Sequence, residues 1–226
     1  MAASEYYQYL PPPGSLPARA AERARRRMYA IFVAHMMPAR DATILDVGAT
    51  SSETYASDNY LEVLYPFKDR ITAVGLEDCG HLERRYPGLV FVKVAAGPLP
   101  FPDRSFDVVH SSAVLEHVGN RASQIRFISE LWRVARRGIF VTTPNRWFPV
   151  EFHTLVPLLH WLPPAAFRTG LRILGKTFYA REETLNLMSS ADLSGAARAA
   201  GVGPHRISTV GMLGWPTNLI LLARRG

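Results

Sequence analysis

The chain is poor in cysteine. Its 226 residues include one, Cys79, so an internal disulfide is excluded. It also lacks any apolar run of the roughly 18–20 residues that a membrane-spanning helix needs. The amino terminus does not show the basic and then apolar segments of a secretory signal peptide. Together these absences predict a cytoplasmic protein.

Aspartate and glutamate are fewer than lysine and arginine, which gives a net charge of +7. Arginines cluster at 19–27 and 133–137. Aromatic residues are not interleaved with these arginines, as they are in nucleic-acid-binding surfaces, so the pattern disfavours nucleic acid as a partner. An anionic membrane surface is a competing explanation for the charge. The hydrophobic content of 48% is ample for the core of one domain.

The most informative segment that is present runs from Pro98 to Val118, PLPFPDRSFDVVHSSAVLEHV. A polar turn precedes an apolar run, near 106–110, of the type found in a sheet that is covered on both faces. The run ends abruptly in His110-Ser111-Ser112, and Glu116-His117 follow within about a helical turn. Ligands of open α/β sheets bind beyond the carboxyl ends of strands, so this segment predicts a site.

Two further apolar runs end in the same way. The run 43–47 leads to Gly48 directly after Asp46-Val47, and the run 71–75 leads to Glu77. A glycine at such a strand end lets the backbone approach a ligand, and an acid at the end of the second strand accepts the hydroxyls of a ribose. These runs predict a nucleoside-binding edge.

In this order, the strand ends resemble the class I S-adenosylmethionine (SAM)-dependent methyltransferases of the broad type 11 group, whose pattern runs LPFPD-x-SFD-x-V and then LEH. The resemblance is good from about Asp41 to His117 and loose elsewhere. It implies a Rossmann-like α/β fold: a seven-stranded, mostly parallel sheet with an antiparallel last strand and helices on both faces. It also implies SAM as the cofactor and S-adenosylhomocysteine (SAH) as the product.

The resemblance further implies where the cofactor lies. Glu77 would bind the ribose hydroxyls, with Asp78 as the alternative, and Asp46 would orient the loop or lie near the amino group of the cofactor. The predicted cofactor-binding residues are Asp46, Gly48, Thr50, Ser51, Glu77, Asp78, Ala95, Ala96, Ser111 and Ser112.

Two places depart from the family pattern. The usual glycine-rich loop is replaced by Gly48-Ala49-Thr50-Ser51-Ser52-Glu53-Thr54, in which one glycine remains. The hydroxyls of Thr50 and Ser51 either hold the amino-acid moiety of the cofactor, or cap the next helix, or signal weakened binding. Ala95 and Ala96 stand where many relatives have an aspartate for the adenine amino group, which would leave adenine to backbone groups.

The chain is predicted to consist of a flexible amino-terminal lead, 1–16, and one domain, 17–226. Helices are predicted at 18–37, over the cofactor cleft, and at 123–135. Strands are predicted near 43–47, 71–75, 90–94, 106–110 and 138–142, followed by a terminal hairpin of 206–212 and 219–223.

After the fifth strand the chain has an insert, at about 143–180, that is long for a loop and too apolar for disorder. It is interpreted as a satellite subdomain with its own small core, as a lid over a hydrophobic acceptor, or as a membrane-surface helix. The last interpretation rests on Arg168, Arg172 and Lys176, which recur every four residues. We favour the lid, whose predicted acceptor-binding residues are Asn145, Trp147, Phe148 and Trp161.

The candidate catalytic residues are His117, Glu151 and His153, as groups that take up a proton from the acceptor. Glu151 and His153, two residues apart on a predicted extended segment, would point the same way. The carboxylate could then orient the imidazole and stabilise its charge. The pair is short of ligands for a metal, and no metal is predicted.

The predicted function is a SAM-dependent methyltransferase that acts on a small-molecule or lipid-linked acceptor, with O-methylation as the leading expectation. The insert is expected to allow peripheral contact with the inner face of the membrane, nucleic acid is not expected as a partner, and the oligomeric state is left open. Two alternatives stay open. The lost glycines suggest a non-catalytic module that binds SAM or SAH, and the charge alone suggests a nucleic-acid methyltransferase.

Overall fold

The computed structural model describes residues 11–55, 57–212 and 214–226, so residues 1–10 of the predicted lead lie outside the described residues. The helices are α1 Leu16–Met36, α2 Tyr60–Leu64, α3 His81–Arg85, α4 Arg121–Val134, α5 Pro164–Ile173 and α6 Ser190–Ala199. The strands are β1 Ile44–Val47, β2 Ile71–Gly75, β3 Val90–Lys93, β4 Phe106–Ser112, β5 Ala135–Pro144, β6 His205–Met212 and β7 Trp215–Arg224. Short 3-10 helices lie at Lys68–Arg70, Leu115–His117 and Leu159–Trp161.

The strands form one seven-stranded sheet in the order β3-β2-β1-β4-β5-β7-β6. The pairings from β3 to β5 are parallel, and β7 is antiparallel to both of its neighbours. The predicted Rossmann-like fold with an antiparallel last strand is therefore confirmed. Because parallel strands end at the same edge, the segments that follow β1, β2, β4 and β5 meet there.

Strand β5 is longer than the prediction of 138–142, because its pairing with β7 continues to Pro144 opposite Asn218. Thr143 falls in the predicted insert, yet it is buried in the sheet like Thr142, the last residue of the predicted strand. Their hydroxyls are satisfied, since Thr142 Oγ1 lies 2.8 Å from Ser112 Oγ and Thr143 Oγ1 donates to Glu116 at 3.0 Å. Threonine is compatible with a buried strand when its hydroxyl finds such a partner.

Alternation along the strands sends neighbouring residues to opposite faces of the sheet. Leu45, Val109 and Ile139 pack on one face with residues of α4 and α6. Ile44, Val108 and Phe140 pack on the other face with residues of α1 and α2. The sheet is thus covered on both faces, which is why its strands read as continuous apolar runs.

Helix α1 is held at both ends and buries one side. Ser15 caps it by accepting from the Ala18 amide, and Met37 ends it in the left-handed conformation. Arg25 near its middle donates to Ser57 Oγ at 2.8 Å, which ties α1 to the segment after β1. Among the described residues, no helix is long and apolar enough to cross a bilayer.

The insert and the segment that follows it pack a small hydrophobic core, separate from the two clusters on the sheet. This satellite core consists of Phe167, Leu171, Phe178, Tyr179, Ala180, Leu185 and Leu187. The expected basic stripe of a membrane-surface helix is incomplete, because α5 ends at Ile173 and Gly175 takes a φ of +73° before Lys176 is reached. Arg168, the first member of that stripe, pairs with Glu182 at 3.5 Å.

Candidate active site

The loop after β1 begins at Gly48, whose φ of +107° favours glycine. A Cβ at this position would lie 2.1 Å from Val114 Cγ2 of the segment after β4, so a side chain has no room. The amides of Gly48 and Ala49 both donate to the Val74 carbonyl at 2.9 Å. The backbone of the loop is therefore held against β2, and Gly48 itself is exposed.

The hydroxyl-rich part of this loop contacts the end of β2. Ser51 Oγ donates to Glu77 Oε2 at 2.5 Å, which brings together two predicted cofactor-binding residues. Asp78 instead accepts from the Gly80 amide at 2.8 Å and so orders the start of α3. Thr50 is tied locally, because its amide donates to Asn59 Oδ1 and its hydroxyl accepts from the Ser52 amide. Glu77 thus contacts the loop after β1, whereas Asp78 is bound within its own turn.

Asp46 lies beneath the loop rather than on its surface. Its carboxylate accepts from His110 Nδ1 of the adjacent strand β4, and His110 Nε2 forms a 2.8 Å hydrogen bond with the Tyr60 hydroxyl. The His110 ring also packs between Phe32 and Phe140. We call Asp46 and His110 the closed pair. Both ring nitrogens of His110 are hydrogen-bonded, the carboxylate of Asp46 accepts one of these bonds, and aromatic side chains pack around the ring.

A second acid lies close to this buried polar region. Glu62 of α2 is fully buried, and burial together with the charge of Asp46 raises the pKa of Glu62 well above its usual value. Sequence reasoning missed Glu62, because a lone acid on a short helix gives no signal of its depth.

The other predicted cofactor residues divide into buried and exposed ones. Ser111 is buried, and its hydroxyl donates to the Val47 carbonyl at 2.8 Å, so it joins β4 to β1. Ser112 pairs with Thr142 as described above and is partly exposed. Ala95 and Ala96 lie after β3 and are exposed, so they leave open space where a ligand could lie.

A second group of polar residues lies at the ends of β4 and β5. It consists of Glu116, His117, Glu151 and His153, and we call it the acid–imidazole cluster. The rings of His117 and His153 meet edge to face at 4.7 Å between centroids. The structure thus brings together all three predicted catalytic residues and adds Glu116, which the LEH motif contains but which was not predicted to act.

Glu151 and His153 pair as predicted, but through a turn rather than an extended strand. The Glu151 carboxylate accepts from the backbone amides of His153 and Thr154, at 2.9 and 2.6 Å, and from His153 Nδ1 at 2.7 Å. A carboxylate that accepts from the two amides following it closes a tight turn. The expected pairing of Glu151 and His153 is therefore present, but the extended backbone from which it was predicted is not.

His117 is held by the segment before α6, because its Nδ1 donates to the Thr184 carbonyl at 2.7 Å. Its Nε2 lies 3.9 Å from Glu116 Oε1. Glu116 is fully buried; its other oxygen accepts from Thr143, whereas Oε1 has no hydrogen-bond partner among the described residues.

The cluster is electrostatically asymmetric. Burial and the nearby His153 lower the pKa of His117 to about 3, so His117 is neutral near pH 7. Burial alone would lower the pKa of His153, but the Glu151 carboxylate outweighs burial and raises it above the usual value. Burial alone would raise the pKa of Glu151, yet His153 lowers it to about 2. Burial raises the pKa of Glu116.

The predicted acceptor-binding residues lie at the same edge, since Asn145 follows β5 directly. Asn145 Nδ2 donates to the Pro216 carbonyl and its Oδ1 accepts from the Trp147 amide, so its side chain shapes this segment. Phe148 is 8% exposed and stacks on Phe152. Trp147, by contrast, is 48% exposed.

Three tryptophans form one aromatic surface, which we call the tryptophan face: Trp147, Trp161 and Trp215. The Trp161 ring lies 6.3 Å from each of the other two, and Trp215 Nε1 donates to the Trp147 carbonyl at 2.9 Å. Trp215 was not predicted, because Gly214-Trp215-Pro216 reads as a turn, whereas β7 in fact begins at Trp215.

Comparisons with known proteins find similarity to methyltransferases. Residues 45–142 match the family model described as a methyltransferase domain. A probable S-adenosylmethionine-dependent methyltransferase of Mycolicibacterium smegmatis is 33% identical over 118 residues, which are 50% of this chain and 42% of that protein. The chain thus covers less than half the length of this relative.

Solved structures are similar over most of the chain. The 1,6-didemethyltoxoflavin-N1-methyltransferase of Burkholderia thailandensis, solved with 1,6-didemethyltoxoflavin and SAH, has a TM-score of 0.61 and 18% identity, with 92% of this chain and 80% of that chain covered. The PH0226 protein of Pyrococcus horikoshii has a TM-score of 0.63 and 13% identity, with all of both chains covered. At these identities the likeness establishes the fold.

Proposed function

Because residues 45–142 match the family model of a methyltransferase domain, we propose that this protein transfers a methyl group from SAM to a small-molecule or lipid-linked acceptor. The proposal rests above all on one observation: Ser51 of the loop after β1 hydrogen-bonds to Glu77 at the end of β2, beside the exposed backbone of Gly48. Acid, hydroxyls and accessible backbone are the groups that a nucleoside with an amino-acid tail requires.

The residues at this edge fit the cofactor. Glu77 would hold the ribose hydroxyls, with its carboxylate fixed by Ser51. Gly48 would let the ligand approach the backbone, in a place where a Cβ would collide with Val114. Ala95 and Ala96 leave adenine to backbone groups. Asp46 would act indirectly, because the closed pair lies under the loop and supports it.

We propose O-methylation as the reaction. When bound, SAM supplies an electrophilic methyl group: the acceptor oxygen forms the new C–O bond as the C–S bond breaks, and the hydroxyl proton must leave. The acid–imidazole cluster supports this proposal, since it lies at the end of β4 next to the cofactor strands. His117, Glu151 and His153 would handle the proton of the acceptor and position its oxygen.

We propose the insert, 143–180, as the part that covers the acceptor. The tryptophan face supports this role, because Trp147 and Trp215 are 48% and 45% exposed at the edge where the cluster lies. Leu155, Leu158 and Leu162 are also exposed, between 45% and 49%, which suits a lipid-linked acceptor at a membrane surface.

The test combines SAH calorimetry with methyl transfer from labelled SAM to a panel of hydroxyl-bearing acceptors, soluble and lipid-linked. We expect SAH to bind and at least one acceptor to become labelled. SAH binding without any transfer would favour a non-catalytic binding module, and no SAH binding by the folded chain would overturn the proposal.

Replacing Trp147 with alanine should raise the KM of the acceptor about fivefold, equivalent to about 1 kcal/mol, and leave SAH affinity unchanged. If it lowers thermal stability and both affinities together, the insert has a structural role only.

A further inference from the structure

The acid–imidazole cluster has the arrangement of a metal site, and hydrogen bonds from neighbouring groups already orient its ligand side chains. One donor atom each from Glu116, His117 and His153 lies within 4.8 Å of the others. Two imidazoles and one carboxylate are a common ligand set for divalent transition metals such as Zn²⁺ and Fe²⁺. The pair Glu151–His153 alone offered too few ligands, and Glu116 and His117 complete the set.

The tautomers of both histidines follow from their partners. A carbonyl and a carboxylate accept hydrogen bonds and cannot donate them, so Nδ1 of His117 and Nδ1 of His153 each carry a proton. Those protons go to the Thr184 carbonyl and to Glu151. Nε2 is then the nitrogen that each ring can offer to a metal. Histidine ligands of metals almost always donate their other ring N–H to a carboxylate or a backbone carbonyl, as both do here.

Glu116 gives an independent indication. Its Oε1 is buried, has no hydrogen-bond partner among the described residues and lies 3.9 Å from His117 Nε2. A cation at this place satisfies a buried oxygen that is costly to leave unpaired.

We propose that Glu116, His117 and His153 bind one divalent transition-metal ion, with Zn²⁺ as the reference ion and Glu151, Thr184 and Thr143 as the groups that orient the ligands. Bonds of about 2.0–2.1 Å in a tetrahedral site place donor atoms roughly 3.4 Å apart, so the widest pair contracts when the ion binds. Three protein ligands leave a coordination position open, as in catalytic metal sites. The imidazole side chains are 17% and 15% exposed and the carboxylate is fully buried, so the open position lies on the imidazole side.

The site gives the acceptor oxygen a specific partner. A bound ion would coordinate a hydroxyl oxygen of the acceptor and favour loss of its proton to water. In this arrangement Glu151 orients His153 as a ligand, and His153 is not itself the base. This role of the ion rests on the proposed function, whereas metal binding as such does not.

The test uses the full chain, stripped with a chelator and titrated with Co²⁺ and with Zn²⁺. We expect one equivalent of each to bind and the Co²⁺ form to show the visible absorption of a low-coordinate site. His117→Ala, His153→Ala and Glu116→Gln should each weaken Co²⁺ binding at least tenfold, and Glu151→Gln should weaken it about 10- to 100-fold. His35→Ala, an exposed histidine outside the cluster, is the matched control and should bind Co²⁺ as the wild type does.

SAH calorimetry on the same samples separates this proposal from the proposed function. A chain that binds SAH but neither Co²⁺ nor Zn²⁺ overturns the metal site and leaves the methyltransferase proposal standing. A chain that binds Co²⁺ through the cluster but does not bind SAH supports the metal site and overturns the methyltransferase proposal. Co²⁺ binding that is unchanged in Glu116→Gln and His153→Ala, with SAH binding reporting an intact fold, places the ion elsewhere and overturns the proposal. Glu116→Gln keeps the size of the side chain and so guards against a trivial loss of folding.

Discussion

Among the described residues, two histidines are hydrogen-bonded to a carboxylate, and the two pairs differ in what the second ring nitrogen contacts. In the closed pair, His110 Nε2 is bonded to Tyr60, and the ring is enclosed by Phe32 and Phe140. In the Glu151–His153 pair the histidine lies against His117, near Glu116, and is partly exposed. The first arrangement stabilises the sheet, and the second leaves an imidazole available for chemistry. The sequence pattern of an acid and a histidine does not distinguish them.

The largest effect is expected from opening the closed pair. His110→Ala should lower the free energy of unfolding by about 3–5 kcal/mol, because it leaves Asp46 buried without its partner and creates a cavity between two aromatic rings. His153→Ala, measured in the same urea titrations in metal-free buffer, should cost about 1–2 kcal/mol, since Glu151 keeps two backbone amides. A larger loss for His153→Ala than for His110→Ala would reverse the comparison.

For turnover, the Glu151–His153 pair should matter more than it does for stability. His153→Ala should lower kcat about a hundredfold or more, because it disrupts the cluster that acts on the hydroxyl of the acceptor. SAH affinity should stay within about twofold, since the cofactor strands are untouched. His205→Ala, which alters a histidine at the start of β6, serves as the control and should leave kcat unchanged. Equal losses of kcat and SAH affinity would mean that the cluster supports the whole edge of the sheet.

The cofactor end can be tested separately through its acid. Glu77→Ala should weaken SAH binding by about 1.5–3 kcal/mol, the range for hydrogen bonds to a charged group. Asp78→Ala should change it little, because that carboxylate is bound to the Gly80 amide. Calorimetry that ranks the two variants the other way would assign the ribose contact to Asp78.

The smallest effect is expected from the loop hydroxyls. A Thr50→Ala, Ser51→Ala double variant should lose about 1 kcal/mol of SAH affinity, the usual size of a neutral hydrogen bond. Its melting temperature without ligand should match that of the wild type. Parallel losses in affinity and melting temperature would show that these hydroxyls shape the loop and do not contact the ligand.

The parts that could be predicted from sequence are those that local patterns determine. The strands β1, β2 and β4 begin at or within one residue of their predicted starts, because each is a buried apolar run bounded by polar residues. Glu77 and Ser51 were both predicted as site residues because each lies within a few residues of the end of such a strand, and their hydrogen bond spans 26 positions.

The rest depends on contacts that no local pattern encodes. Glu116 meets Thr143 only because β4 and β5 are neighbours, and His117 is bound by Thr184, 67 positions away in the chain. Trp215 joins Trp147 and Trp161 because the antiparallel β7 starts at the edge where β5 ends. A sequence pattern can indicate which residues are suited to chemistry, but the assembled sheet decides which of them meet.

The satellite core has a consequence for how the acceptor range can change. It shares no residue with the two clusters that hold the sheet, so the insert can vary while the cofactor end stays constrained. Exposed positions such as Trp147, Phe152, Leu155 and Leu158 contribute little to that core, and substitutions at such surface sites usually alter stability by less than about 0.5 kcal/mol. A library confined to these four positions should therefore diversify acceptor preference with few unfolded members.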